Sequence, residues 1–211
     1  MTSDIKASVK LVGEAWRESQ YYANAEAFTH LFWNEGTIFR RNFDSLVLDH
    51  VVELACGHGR HSEKVAKLCG KLILMDIHQA NLNACRGRLQ TLENVDYIRN
   101  SGYDFQPIPD GLISAVFCYD AMVHFSPDLV ESYLNDTARI LTPKGRALFH
   151  HSNYDAPTDQ HYGRNPHARN RMTLERFRTC AEQAGLMVIT STPHSWGGVS
   201  DLDGVTLVEK T

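Results

Sequence analysis

Glu53-Leu54-Ala55-Cys56-Gly57-His58-Gly59-Arg60-His61 follows an apolar run and carries two glycines two residues apart. Gly57 and Gly59 allow a sharp turn and a close approach of backbone to ligand with no Cβ between them. Asp76 lies 19 residues beyond Gly57 and ends a second apolar run, where a carboxylate can accept hydrogen bonds from both hydroxyls of a ribose. A loop and an acid of this kind are shared with nicotinamide and flavin enzymes. Glu53 adds a carboxylate at a strand end with nothing nearby in sequence to pair it, and a ligand's ammonium would serve.

Proton acceptors gather at later strand ends. Asp120 and His124 follow one apolar run, and His150 and His151 close another. A neutral imidazole titrates near working pH, so His124 and His151 are the preferred bases, with Asp120 beside them. His150 and His151 point to opposite faces of a continuing strand, so at most one faces a ligand. His58-x-x-His61 has a ligand-like spacing, but no cysteine or acid completes a set, and no metal is expected.

These residues need strands to carry them. Apolar runs at 47–54, 71–75, 95–98, 112–119, 146–150, 186–190 and 205–208 read as seven strands. Between them Ser62, the repeat Leu82/Cys85/Leu89/Leu92, Ser126-Pro127-Asp128 and Thr173 mark helices, with Gly70 and Gly185 as stops. The alternation predicts an α/β fold, a Rossmann-like doubly wound seven-stranded sheet, mostly parallel with an antiparallel last strand and helices on both faces. Residues 1–45 lie outside the alternation, are rich in aromatics and read as a helical cap over the site; 46–211 form the main domain. Residues 154–172 exceed a minimal strand-to-helix connection and read as an insertion on the substrate side.

The formal charge of -4 gives no footprint for nucleic acid or an anionic membrane. The best apolar stretch, Leu72-Ile73-Leu74-Met75, stops at Asp76, and the N-terminus lacks the apolar core of a signal peptide. Five cysteines without a C-x-x-C pair read as buried reduced thiols, so a cytoplasmic location is expected.

Val52-Glu53-Leu54-Ala55-Cys56-Gly57-His58-Gly59 resembles the first motif of class I S-adenosylmethionine-dependent methyltransferases. Asp76 resembles their ribose-binding acid, and Phe117-Cys118-Tyr119-Asp120-Ala121-Met122-Val123-His124 their fourth-strand motif. Ile140 to Arg146 is similar to the turn before their fifth strand, and the likeness covers roughly residues 45–211. It implies S-adenosyl-L-methionine as cofactor, with Gly57 and Gly59 along its methionine part and Glu53 near its amino group. Asp76 would hold the ribose, Ile77 would flank the adenine, and Gly102 and Tyr103 would meet the adenine edge; Ala55, Ser101 and Tyr119 complete the set. Two positions depart from the pattern. Ala55 replaces a glycine, at a small expected cost, and Ser101 replaces an acid, leaving adenine contacts to the backbone or to Asp104.

On this reading the acceptor is a small metabolite methylated on oxygen or nitrogen. No Asn/Asp-Pro-Pro-aromatic motif follows the fourth strand, which argues against nucleic-acid amino groups. Tyr22 and Trp33 could close over the sulfonium, or simply pack the cap. Arg40, Arg164 and Arg169 could clamp an anionic acceptor, and Trp196 could form a wall. A nicotinamide-dependent oxidoreductase and a non-catalytic cofactor-binding module are the alternatives; Ser62 at the third glycine position is a poor match to the former.

Overall fold

The computed structural model describes residues 2–155, 157 and 160–211, apart from the side chains of 2–4. Part of the expected insertion, residues 156, 158 and 159, therefore lies outside the described residues, as does residue 1 of the expected cap.

Ahead of the sheet come α1 (Thr2–Trp16) and three short helices, α2 (Tyr21–Asn24), α3 (His30–Trp33) and α4 (Ile38–Phe43). Then follow β1 (His50–Leu54), α5 (Ser62–Ala66), β2 (Lys71–Asp76), α6 (Gln79–Arg88), β3 (Val95–Arg99) and β4 (Ile113–Cys118). The chain closes with α7 (Pro127–Ile140), β5 (Leu141–Ser152), α8 (Leu174–Gln183), β6 (Leu186–Trp196) and β7 (Val199–Lys210). The strands form one sheet in the order β3-β2-β1-β4-β5-β7-β6. Pairing is parallel from β3 to β5, and β7 runs antiparallel to both β5 and β6.

Strand order reverses between β1 and β4, so the loops leaving their carboxyl ends, 55–61 and 119–126, flank the crevice where such sheets bind ligands. Alternate strand residues divide the core. Val52, Val116 and Phe149 pack on one face with Tyr133 of α7 and Phe177 of α8. Val51, Phe117 and Leu148 pack on the other with Val65, Leu82 and the aromatic group Phe32, Trp33, Phe39 and Phe43. These four aromatics of 1–45 thus anchor α3 and α4 to the sheet.

Two strands differ from their apolar signal. β5 begins at Leu141, which pairs with Ile113, and resumes with Arg146 opposite Ala115; Thr142 to Gly145 bulge between, with Lys144 at φ 63°. β6 and β7 form a hairpin far longer than 186–190 and 205–208, because β6 is an edge strand whose mostly exposed residues carry no apolar run. No described helix is long and apolar enough to cross a membrane.

Candidate active site

The loop after β1 turns through three left-handed residues, Ala55 (φ 55°), Gly57 (φ 55°) and Gly59 (φ 74°). Ala55 therefore carries strain of about 1–2 kcal/mol that glycine would not, a correction to the small cost expected from sequence. A Cβ on Gly57 would lie 3.0 Å from the Tyr22 ring, so glycine is required there for closeness as well as φ. Asp76 ends β2 and accepts from Gly57 N at 3.1 Å, His78 N at 2.8 Å and Asn81 Nδ2 at 3.2 Å. Three of its roughly four lone-pair positions are filled, leaving room for one further donor on Oδ2 rather than two.

Glu53, 4% exposed, accepts one bond from Ser62 Oγ at 2.6 Å. Burial pushes its carboxyl up to about 8, against the pull of Ser62 and Arg60, so it awaits a cation. At the end of β3, Asn100 donates to Tyr133 Oη at 3.0 Å, while its Oδ1 is buried with no partner in the protein.

Beyond β4 the polar groups interlock. Asp120 adopts φ 56°, and its carboxylate accepts from the Tyr21 hydroxyl and from Arg60 Nη2 at 2.9 Å. Its amide donates to His150 Nδ1 at 3.1 Å. His150 Nε2–H therefore donates to Asp203 Oδ2 at 2.8 Å. Asp203 also takes both arms of Arg169, Nε at 2.8 Å and Nη2 at 2.6 Å. Burial opposes its ionisation, but His150 and Arg169 prevail and hold it well below the usual carboxylate range.

His124 donates Nδ1–H to the Ala168 carbonyl at 2.9 Å, which leaves the Nε2 lone pair free. Its ring lies 4.4 Å from that of Trp16, and burial lowers its pKa to about 4. His61 is fixed the other way. Trp33 Nε1–H donates to His61 Nδ1 at 3.0 Å, so the proton sits on Nε2, which is buried without a partner. Burial, aided by Arg60, keeps this ring neutral.

One cavity, about 1010 Å³ counting its open part, joins these groups. Glu53, Ala55, Gly57, Asp76, Ile77 and Gly102 line one end, with Tyr22 over Gly57; Tyr119, Asp120 and His124 line the other, with Val9, Val12 and Trp16 of α1 alongside. Gly59 lies beneath the loop against Cys85 and Ser62. Ser101 does not reach the cavity; its Oγ donates to Asp104 Oδ1 and caps the turn by accepting from Tyr103 N. Tyr103 likewise stays outside, its carbonyl accepting from Ser132 Oγ.

Several expected acceptor-side residues are employed elsewhere. His151 stands on the opposite face of β5, stacked on Phe177 at 3.7 Å and bonded to Thr206, and burial lowers its pKa to about 3. Alternation separates the two histidines as expected, and the phase brings His150, not His151, towards the site. Trp33 is a core residue, and Arg40 sits outside it, paired with Asp44. Arg164 is exposed, while Arg169 is spent on Asp203. Trp196 packs 5.1 Å from His150, behind Tyr119. The sequence reading missed Trp16, Arg60, His61 and Asn100 as site residues. Arg60 and His61 adjoin the glycine loop and Asn100 ends a strand; that proximity was the available signal.

Residues 51–145 match the family model described as a methyltransferase domain. No curated protein matches the chain in sequence. Among solved structures, the fold is similar to a SAM-dependent methyltransferase from Aquifex aeolicus (15% identity, 90% and 97% of the two chains, TM-score 0.67). It is also similar to geranyl diphosphate C-methyltransferase from Streptomyces coelicolor (11%, 97% and 98%, 0.72) and to the [4+2]-cyclase SpnF (13%, 96% and 97%, 0.73). The chain thus carries a methyltransferase domain over residues 51–145, on a fold similar to that of S-adenosylmethionine-dependent methyltransferases.

Proposed function

We propose that the cavity holds S-adenosylmethionine along the ends of β1, β2 and β3 and that the chain methylates an oxygen or nitrogen of a small molecule at the Asp120–His124 end. The observation that carries this reading is the fit of the unfilled polar groups. Glu53 is a buried carboxyl whose charge awaits an ammonium, Asp76 keeps a lone pair for a ribose hydroxyl, and Asn100 Oδ1 is an orphan acceptor suited to an exocyclic amine. When bound, the cofactor supplies an electrophilic methyl on a sulfonium.

The chain's own residues would do the rest. α1 with Tyr21 and Tyr22 covers the cavity and excludes water. His124 Nε2 is a fixed, unprotonated acceptor for the proton lost by a hydroxyl or amine as the new bond forms. A base this weak suffices because the acceptor's proton becomes strongly acidic once the methyl begins to transfer. Asp120, tied to Arg60 and Tyr21, is a positioning residue, so the base role falls to His124 alone. The test is incubation of the protein with methyl-labelled S-adenosylmethionine and a small-metabolite extract. Label should enter the small-molecule fraction, and His124→Ala should cut the rate by about 10²–10⁴-fold with S-adenosylhomocysteine affinity unchanged. Label that stays on the donor, or an undiminished rate in the variant, contradicts the reading.

A further inference from the structure

Among the described residues, three buried donors on the cavity wall have no partner in the protein, Trp16 Nε1, His61 Nε2 and the Tyr119 hydroxyl, and the last two lie together. Trp33 fixes the proton of His61 on Nε2, and that N–H has no acceptor. The Tyr119 hydroxyl has none either, and the two rings meet edge to face, centroids 4.8 Å apart. His61 is 2% exposed and Tyr119 7%, and both line the cavity. A buried donor left without an acceptor is costly, so this pair asks for an oxygen or nitrogen acceptor from the ligand.

Charge sets the second condition. Arg60 lies 5.2 Å over the Tyr119 ring but is neutralised by Asp120, and Arg169 behind it is neutralised by Asp203. No unpaired cation therefore remains at this end among the described residues, and a ligand carboxylate would be desolvated against two pairs that are already satisfied. Trp16, Tyr21 and Phe125 make the remaining walls aromatic.

We infer that His61 Nε2–H and the Tyr119 hydroxyl form a specificity site for the methyl acceptor, gripping a neutral carbonyl-type oxygen of an uncharged, ring-containing molecule. This rests on the methyltransferase reading above. It reassigns Tyr119 from the cofactor to the acceptor, and it excludes the anionic acceptor that the arginine-rich segment suggested.

The experiment is calorimetry on the intact protein saturated with S-adenosylhomocysteine. The probes are matched pairs on phenol and indole frames, each pair an uncharged carboxamide and its carboxylate. The carboxamides should bind and the carboxylates bind at least tenfold more weakly. Tyr119→Phe removes a hydroxyl that bonds to nothing in the protein, so the fold should tolerate it. It should weaken carboxamide binding about 3- to 10-fold while S-adenosylhomocysteine affinity holds. His61→Gln, which can still accept from Trp33, should weaken the carboxamides likewise. Carboxylates bound as tightly as carboxamides, no binding of either class, or probe binding indifferent to both variants overturns the inference. A loss of S-adenosylhomocysteine affinity in Tyr119→Phe also overturns it, since the donors would then serve the cofactor. Failure of the wild type to bind S-adenosylhomocysteine at all would instead strike the methyltransferase reading.

Discussion

The Asp120 amide donates to His150 Nδ1 at 3.1 Å, and that bond joins the loop after β4 to a buried chain running through Asp203 to Arg169. Asp120 is thereby held at φ 56°, a conformation that aspartate tolerates only at a cost, with its carboxylate facing Arg60 and Tyr21. The Asp120 end of the cavity is thus set from below, by residues on β5, β7 and the segment ahead of α8.

Removing Asp203 should be severe. Asp203→Ala leaves Arg169, 2% exposed, without its carboxylate and deprives His150 of its acceptor. The expected loss is about 3–5 kcal/mol in urea unfolding. A loss under 1 kcal/mol would show that the network is replaceable by water.

Acid should weaken the fold well above the usual carboxylate range. Burial holds His61, His124 and His151 below their ordinary value, the latter two to about 4 and about 3. Such groups take up protons in the unfolded chain first, so stability falls as pH drops below about 6.5. Glu53, raised to about 8, works the other way by holding a proton in the folded state. His194 joins the lowered histidines and Asp76 the raised carboxyls, so the histidines still outnumber the carboxyls and stability should fall between pH 6 and 5, by about 1.4 kcal/mol per pH unit for each proton taken up on balance. Equal unfolding free energies at pH 7 and pH 5 would contradict this.

Glu53 also makes cofactor binding a proton-releasing event. With its carboxyl near 8 in the empty cavity, binding of an ammonium-bearing ligand at pH 7 should expel close to one proton. The enthalpy of S-adenosylhomocysteine binding should then differ between phosphate and Tris buffers, and Glu53→Gln should erase the difference. Buffer-independent heats in the wild type would remove Glu53 from the ammonium's vicinity.

Arg40 and Arg164, by contrast, should be dispensable. Arg40 pairs with Asp44 at the surface and Arg164 is exposed, neither on the cavity wall. Alanine at either position should change stability by less than about 0.5 kcal/mol and leave turnover and acceptor KM intact. A large rise in KM would bring α4 (for Arg40) or the 161–171 segment (for Arg164) back into the site.

The sheet was readable because β1, β2 and β4 are continuous apolar runs, as strands buried on both faces must be. The grouping of Glu53, Gly57 and Asp76 was readable because they lie on one strand-loop-strand unit, so their sequence spacing is their spatial spacing. The grouping around Asp120 was not. Its bonds link Tyr21 to Asp120, Arg60 to Asp120 and His150 to Asp203, pairs 99, 60 and 53 residues apart that only the closed sheet brings together. The phase of His150 against His151 was hidden for the same reason: β7 decides it, by pairing His150 with Val205 and His151 with Gly204. A Cβ on Gly204 would lie 2.5 Å from His151, so that ring position depends on a glycine on another strand.

The most direct measurement is calorimetric titration of the wild-type protein with S-adenosylmethionine, S-adenosylhomocysteine and NAD in parallel. The geometry predicts that both adenosyl-sulfur ligands bind at one site per chain and that NAD does not. Binding of NAD alone, or silence from both sulfur ligands, would contradict the assignment of the cavity.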